Sequence, residues 1–192
     1  MASVDFIEVG RTAHELALRH GWIAHEYAAK LAAEALAAFA GAGRRFERLG
    51  ATAGGAEVYD DYAHHPSEIA ATLAAARTFA PRRLIAAFQP HLYSRTRALR
   101  REFGGALAAA DTVVVLDIYP AREEGRDFPG VSGLMIAEAV ADAAPGKPVY
   151  WLPHAAAARE ILDRMLGPGE LLVVMGAGDI DELGRRLAQN RG

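Results

Sequence analysis

Beyond residue 43, short runs of apolar residues alternate with longer segments in which apolar residues recur at helical spacing. Residues 113–116 read Val-Val-Val-Leu, and such an uninterrupted run is typical of a strand that helices cover on both faces. Segments 45–49 and 56–60 flank Gly54 and Gly55 and predict a hairpin. The whole pattern predicts an α/β fold, with a Rossmann-like doubly wound, mostly parallel sheet, an N-terminal β-hairpin and helices on both faces.

Predicted strands and helices alternate along the remainder of the chain. One helix follows Pro66, and Ser67 is its predicted N-cap. The predicted parallel strands are residues 84–88, 112–117, 149–152 and 171–175. The predicted helices are residues 67–79, 94–110, 132–143, 155–166 and 180–189.

Residues 1–43 have a different character. Between Ala13 and Ala40 the chain is rich in alanine, with large apolar residues at roughly helical spacing. Gly21 is predicted to separate two helices, and the Gly-Ala-Gly of residues 41–43 to end the second. Because this segment carries no catalytic signature, we interpret it as a helical remnant of, or linker to, a preceding domain. The predicted division is a helical segment at 1–43 and one α/β domain at 44–192.

Composition narrows the class of protein. Of the 192 residues, 52% are hydrophobic and 23% are charged, which indicates a globular domain with a core. The absence of cysteine excludes disulfides and thiolate metal sites and is compatible with a reducing cytosol. The net charge of −3 gives no support for nucleic-acid or membrane binding. With neither a long apolar run nor a leader pattern, the sequence predicts a soluble, cytoplasmic protein.

Unusual polar residues lie in four segments, and each follows a predicted strand. Ligands of open α/β sheets bind outside the carboxyl ends of the strands, so we expect the four segments to meet at one rim of the sheet. The segments are residues 60–68, 89–97, 117–127 and 176–179.

Segment 60–68 combines carboxylate, phenol and imidazole groups in one strand-to-helix turn. A carboxylate here can accept hydrogen bonds from ribose hydroxyls or hold a magnesium-bound water, and an imidazole can bind phosphate or stack on adenine. The helix that follows offers free backbone amides to an anion. The alternative is an ordinary surface turn, since aspartate favours turns. The side chains concerned are Asp60, Asp61, Tyr62, His64 and His65.

Segment 89–97 places His91, Tyr93 and Arg95 close together in the sequence. An arginine at the end of a strand suits a carboxylate or phosphate group, because its planar fork can form two parallel hydrogen bonds. The later arginines are predicted on a solvated helix face; they are Arg97, Arg100 and Arg101.

The motifs also bear on whether this domain binds a metal ion or the phosphates of a nucleotide. A zinc site made of His64, His65 and His91 is disfavoured by their spacing, and no metal site is predicted. The Gly-Ala-Gly-Asp of residues 176–179 suits close approach of the backbone to a ligand, although a lone Gly-x-Gly is a weak signal. The sequence contains no Gly-x-x-x-x-Gly-Lys-[Ser/Thr] motif, so this domain is not expected to supply the main triphosphate cradle.

Taken together, five stretches resemble the C-terminal domain of the Mur ligase family, and in particular of its L-alanine-adding members. The pair Asp-Asp-Tyr-x-His-His-Pro and Phe-Gln-Pro-His-x-Tyr-x-Arg-Thr is the most specific part of the resemblance. The matching region spans residues 43–187. The stretches are residues 43–47, 60–68, 88–96, 116–119 and 176–180.

This resemblance implies an ATP-dependent, amide-forming ligase of peptidoglycan synthesis. In that family, ATP phosphorylates the carboxylate of UDP-N-acetylmuramate, and the amine of L-alanine then attacks the acyl phosphate. The C-terminal domain closes over a central ATPase domain, which mainly holds the Mg²⁺ ion. The family's N-terminal and central domains have no counterpart among these 192 residues, so we expect the chain alone to be inactive.

The resemblance also implies roles for individual residues. Arg45 and Asp61 would face ATP, with Asp61 at the ribose and His64 also near the nucleotide. Tyr62, together with His91 and Arg95, would bind L-alanine. The implied catalytic residues are His91, Arg95 and His64.

Two alternatives stay open. The chain can be a free-standing, non-enzymatic domain that binds a nucleotide or a protein partner. It can also belong to the related murein tripeptide ligases, although the stretch at residues 88–96 argues against that interpretation.

Overall fold

The computed structural model describes residues 44–189, and the predicted helical segment 1–43 lies outside the described residues. The described residues form six strands and six α-helices: a hairpin of two strands comes first, and the other four strands are interspersed with the helices. The strands are β1 (Glu47–Ala51), β2 (Glu57–Asp61), β3 (Arg83–Phe88), β4 (Thr112–Val115), β5 (Val149–Trp151) and β6 (Glu170–Met175). The helices are α1 (Pro66–Arg77), α2 (Tyr93–Ala98), α3 (Arg100–Leu107), α4 (Leu134–Ala143), α5 (Ala155–Met165) and α6 (Asp181–Gln189), with a 3-10 turn at Gly125–Asp127.

The strands form one sheet in the order β1-β2-β6-β3-β4-β5. Only the β1–β2 pair is antiparallel; the other four neighbouring pairs are parallel. The last strand, β6, lies between β2 and β3, so that Asp61 and Phe88 both pair with Met175. The predicted fold class is therefore confirmed, and the carboxyl ends of five parallel strands share one rim.

Helices cover both faces of the sheet because the inner strands are apolar on both sides. Every residue of β6 is buried, and its side chains alternate between two cores. Val173 and Met175 pack with residues of α1, α3 and α4. Leu172 and Val174 pack with residues of α5 and α6 on the opposite face. This is the packing that a doubly wound sheet requires.

The structure corrects two details of the prediction. The predicted cap Ser67 is wrong: His65 is the N-cap of α1, and the side chain of Glu68 accepts a hydrogen bond from the His65 amide at 3.1 Å. The predicted helix 94–110 is divided at Leu99 into α2 and α3. Leucine favours helices, so the pattern of residue types held no sign of this break.

Among residues 44–189, no helix is long and apolar enough to cross a membrane.

The contact between α3 and α4 yields a stability prediction. A Cβ atom on Gly104 would lie 2.5 Å from the Ala139 carbonyl oxygen, whereas one on Gly105 would have no neighbour within 4 Å. We expect Gly104→Ala to lower the free energy of unfolding by about 1–3 kcal/mol, because the two helices must separate. Gly105→Ala, the matched control in the same helix, should raise it by about 0.5–1 kcal/mol.

Urea denaturation of the two variants measures both effects. Equal stability of Gly104→Ala and Gly105→Ala would contradict the close helix contact.

Candidate functional site

The candidate site lies at the rim formed by the carboxyl ends of the parallel strands. It is built from the residues before β1 and from the loops after β2, β3, β4 and β6. Backbone hydrogen bonds connect these loops directly: the Gly176 amide donates to the Asp61 carbonyl at 3.2 Å, and the Gln89 amide donates to the Met175 carbonyl at 3.0 Å. The four polar segments predicted to meet at one rim therefore do so.

Asp61 lies beneath the rim surface, with an exposed fraction of only 4%. Its carboxylate accepts hydrogen bonds from the Phe46 amide at 2.9 Å and the Ala63 amide at 2.8 Å. Burial raises the pKa of Asp61, while these two bonds and one with Thr72 oppose that rise. In this arrangement Asp61 joins the start of β1 to the turn before α1, and its oxygens point into the protein.

Asp60 is fully buried and pairs with Arg44, a residue that the sequence analysis did not single out. The Arg44 Nε donates to Asp60 Oδ2 at 3.0 Å. Burial raises the pKa of Asp60 to about 6, against the lowering effect of the Arg44 charge. The other oxygen, Oδ1, has no hydrogen-bond partner within the described part of the chain. The position of Asp60 could have indicated a cationic partner from the sequence, since a carboxylate at the end of a buried strand needs a cation.

The remaining Arg44 nitrogens bind the turn after β6. Nη1 donates to the Gly178 carbonyl at 2.8 Å, and Nη2 donates to the Gly176 carbonyl at 2.7 Å. Arg44 thus connects the start of β1, the end of β2 and the turn at 176–179.

Four rings form a row across the surface of the rim. Tyr62 and His64 have ring centroids 5.3 Å apart, His64 and His91 are 5.9 Å apart, and His91 stacks on Tyr119 at 5.9 Å with an interplanar angle of 13°. The row joins residues from the loops after β2, β3 and β4. Tyr119 belongs to the predicted rim segment 117–127, but no role was predicted for it.

His91 occupies the centre of this row and is kept neutral. Burial lowers its pKa, and the positive charge of Arg95 and the ring of His64 act in the same direction. Its Nδ1 atom is buried and makes no hydrogen bond to any residue described. A neutral imidazole has one nitrogen that can accept a proton or a hydrogen bond, and because Nδ1 is buried, a ligand at the rim would have to meet Nε2.

Arg45 and Arg95 flank the row of rings. Arg45 is exposed, and its guanidinium carbon lies 5.9 Å from the centroid of the Tyr62 ring. Arg95 is half-buried, with Nη1 at 3.4 Å from the His64 carbonyl oxygen. The structure therefore brings together Arg45, Tyr62, His64, His91 and Arg95, the predicted site residues other than Asp61, and this arrangement suits an anionic ligand.

The arginines predicted on a solvated face behave as expected. Arg97, Arg100 and Arg101 are all exposed on α2 and α3. The Arg97 guanidinium lies over the ring of Phe128, at 5.4 Å from its centroid.

The turn at 176–179 requires glycine for a reason within the chain. A Cβ on Gly178 would lie 2.4 Å from Gln89 Oε1 and 2.6 Å from Cγ of Tyr119. Gln89 Nε2 also donates to Asp179 Oδ1 at 2.9 Å, which ties the turn to the loop after β3. The glycine pattern is thus explained by packing of the turn against its neighbours, without a ligand.

Across residues 44–189, no group of three or more histidine, aspartate or glutamate side chains is placed to hold a metal ion. The row of rings and its two arginines present guanidinium, imidazole and phenol groups, and magnesium prefers oxygen ligands, so this row does not fit it. The described carboxylates of the rim, such as Glu68 and Asp179, are not grouped to hold a metal ion.

The fold and the site together define a class of protein. Residues 44–178 match the family described as Mur ligase, glutamate ligase domain, and the chain belongs to the Mur ligase family. Among its relatives is a UDP-N-acetylmuramate–L-alanine ligase of Mycobacterium avium, 49% identical over 174 residues, a match that covers 83% of this chain and 34% of the relative. The corresponding enzyme of Mycolicibacterium paratuberculosis is 50% identical over 175 residues, with the same shares of each chain. The chain thus spans about a third of the length of these relatives.

Solved structures agree with this assignment. A UDP-N-acetylmuramate–alanine ligase from Thermotoga maritima superposes with a TM-score of 0.61 at 30% identity, covering 80% of this chain and 31% of that one. A murein peptide ligase from Psychrobacter arcticus gives a TM-score of 0.62 at 27% identity, again covering 80% of this chain and 31% of the other. The fold therefore fits both kinds of ligase equally well.

The buried Asp60 predicts a pH dependence of stability. Its pKa is raised from 3.8 to about 6, so its contribution to folding is fully present below about pH 3.8 and is lost as the pH rises through about 6. The loss amounts to about 3 kcal/mol, since one pKa unit corresponds to about 1.4 kcal/mol. Asp60→Asn, which stays neutral, should remove this dependence from the free energy of unfolding measured in urea at several pH values.

Asp111→Asn is the matched control of opposite sign. Hydrogen bonds from Arg77 lower the pKa of Asp111, so its contribution is present at neutral pH and is lost as the pH falls. If Asp60→Asn kept the same slope as the unsubstituted chain between about pH 4 and 6, the raised pKa of Asp60 would be contradicted.

Proposed function

We propose that this chain acts as the C-terminal domain of the ATP-dependent ligase that joins L-alanine to UDP-N-acetylmuramate in peptidoglycan synthesis. The observation that carries the proposal is the convergence of Arg45, Tyr62, His64, His91 and Arg95 on one rim. These are the residues that the resemblance associates with ATP and L-alanine, and they come from three separate loops. The names of the relatives with about half identical residues support the same reaction.

In the proposed reaction, Arg45 and Arg95 each bind a different anionic group. Arg45 has no hydrogen bond to another described residue and can pair with the phosphates of ATP. Arg95 can hold the carboxylate of L-alanine through its planar fork. Tyr62, between them, can donate a hydrogen bond that orients the amino acid. Holding the amine close to the acyl phosphate lowers the activation barrier, because the two reactants lose their translational and rotational freedom on binding and not in the chemical step.

His91 is the proposed acceptor of the proton from the amine. The amine of L-alanine must lose a proton before it can attack the acyl carbon. Because burial and the Arg95 charge lower the pKa of His91, its imidazole is neutral at neutral pH, which leaves Nε2 as the proposed acceptor, since Nδ1 is buried. His64, 5.9 Å away between ring centroids, would fix the orientation of the His91 ring.

Mg²⁺ and the triphosphate are assigned mainly to the central domain of the ligase. The 192 residues contain no Gly-x-x-x-x-Gly-Lys-[Ser/Thr] motif, and the described residues include no group of three or more carboxylates and histidines placed to hold Mg²⁺. Closure of this domain over the central one would complete the site and exclude water. Because ATP is the substrate, the proposed reaction takes place in the cytoplasm. Asp61 is proposed to bind the ribose of ATP. Since Asp61 is buried, the residues above it would have to shift before it could contact the nucleotide.

The second candidate is a free-standing domain that binds a nucleotide or a protein partner without chemistry. The missing triphosphate motif favours it for the 192 residues taken alone. A domain without chemistry has no need of a neutral histidine beside an arginine, so we prefer the ligase. A murein peptide ligase is a third, weaker candidate. Fold similarity does not distinguish it from the L-alanine-adding ligase, but the sequence of residues 88–96 argues against it.

The first test compares two arginines of the same short helix. Arg95→Ala should weaken the binding of L-alanine by about 10- to 100-fold, because it removes hydrogen bonds to a charged group. Arg97→Ala, which alters only an exposed side chain over Phe128, should leave that binding unchanged. The measurement is an NMR titration of the labelled chain with ATP and L-alanine, with the first two domains of a homologous ligase added. Equal effects of the two substitutions would count against the proposed L-alanine site.

The second test concerns the 192-residue chain alone. We expect no ADP release that depends on both UDP-N-acetylmuramate and L-alanine, because the triphosphate motif is not in this sequence. The added domains should restore such release. ADP release by the chain alone, requiring both substrates, would show that the division of labour between the domains is wrong.

A further inference from the structure

Arg44 and Arg45 are neighbours in the chain but have opposite environments. The Arg44 side chain is 18% exposed, and each of its three guanidinium nitrogens donates to an acceptor in the protein. Arg45 is exposed, and its side chain makes no hydrogen bond to another described residue. Its guanidinium carbon lies 5.9 Å from the centroid of the Tyr62 ring, and its charge helps to lower the pKa of Glu68. Because the hydrogen-bonding capacity of Arg44 is directed inwards, Arg45 is the one of the pair that can meet a ligand.

The backbone around Arg45 is held in an unusual conformation. Arg44 has a φ of 64° and Phe46 a φ of 48°, so non-glycine residues on both sides of Arg45 occupy the left-handed region. Such conformations persist only where surrounding contacts over-determine them. Here the Arg44 amide donates to Glu47 Oε2 at 3.0 Å, and the Phe46 amide donates to Asp61 Oδ2 at 2.9 Å.

Arg44 also fixes Tyr62. The Tyr62 amide donates to the Arg44 carbonyl at 2.7 Å, and the Arg44 guanidinium carbon lies 5.3 Å from the centroid of the Tyr62 ring. Tyr62 is therefore held by both the backbone and the side chain of Arg44, while the Arg45 guanidinium lies near the same ring.

We propose that Arg44 is a positioning residue for the nucleotide: by joining the backbone before β1 to the end of β2 and to the turn at 176–179, it holds Arg45, beside the Tyr62 ring, where Arg45 meets the phosphates of ATP. This inference rests on the proposed function. Arg44 does not touch the nucleotide and acts through Arg45. Lysine cannot replace it, because a single ammonium group cannot reach three acceptors that match a planar fork.

The test is a double-mutant cycle on the labelled 192-residue chain, with the first two domains of a homologous ligase added. Arg44→Lys and Arg45→Lys should each raise the Kd for ATP by roughly tenfold, the effect expected when a charge-assisted hydrogen bond is lost. The double variant should bind ATP no more weakly than Arg45→Lys alone, because Arg44 acts through Arg45. In the absence of nucleotide, Arg44→Lys should also increase the hydrogen exchange of the Tyr62 amide.

Arg185→Lys is the matched control. Arg185 lies close to the same region, 3.6 Å from Glu47 and 3.6 Å from Asp181, but it contacts neither Tyr62 nor the turn carbonyls that Arg44 binds. It should leave the Kd for ATP unchanged. If Arg44→Lys does not fold, Asp60→Asn weakens one of the three Arg44 contacts, and it should raise the Kd for ATP by a smaller factor.

The outcomes separate the two proposals. If Arg45→Lys raises the Kd while Arg44→Lys and Asp60→Asn do not, the positioning role is overturned and the ligase function stands. Additive effects of Arg44→Lys and Arg45→Lys would also overturn it, since they indicate independent actions. If Arg45→Lys itself has no effect, the nucleotide contact of the proposed function has failed, and the role of Arg44 fails with it.

Discussion

The pairing of β6 between β2 and β3 is the constraint on which the remaining structure depends. β6 is the last strand of the sequence, yet it occupies an inner position and is buried along its whole length. Its backbone holds β2 and β3 in register, and its side chains enter both cores. Because β6 ends between them, the turn at 176–179 lies between the loop with Tyr62 and His64 and the loop with His91 and Arg95. The site is therefore a consequence of strand order.

Much of this fold could be predicted from residue patterns. Apolar runs marked the buried strands, and a rule about the carboxyl ends of parallel strands predicted where the polar loops meet. The details that the residue patterns did not predict depend on local geometry. The break at Leu99 joins two segments of similar helical preference, and the His65 cap uses an imidazole nitrogen in place of the expected serine oxygen. Residue preferences are averages over many proteins, so they do not predict where one particular helix breaks or which residue caps it.

The candidate site, too, could be predicted from the sequence only in part. Tyr62, His64, His91 and Arg95 could be selected from segments 60–68 and 89–97, because both segments follow predicted strands whose carboxyl ends meet at one rim. Sequence alone could not show that Asp61 points inwards, since its burial depends on hydrogen bonds from the Phe46 and Ala63 amides. Nor could it separate Arg44 from Arg45. The two differ only in the direction of their side chains, which the left-handed φ of Arg44 helps to set.

The distribution of charge explains how this rim can favour anions although the whole chain is acidic. Asp60 and Asp61, at the end of β2, are buried: Arg44 binds one oxygen of Asp60, and backbone amides bind Asp61. Glu68 lies at the rim, 3.5 Å from Nδ1 of His64. The guanidinium groups of Arg45 and Arg95 lie above Asp60 and Asp61. Since interactions at the surface weaken within about 10 Å in salt, an anion that pairs directly with these guanidinium groups is little affected by acidic residues far from the rim. Beside the two arginines, the lowered pKa of His91 keeps that imidazole neutral, so one surface combines anion binding with a proton acceptor.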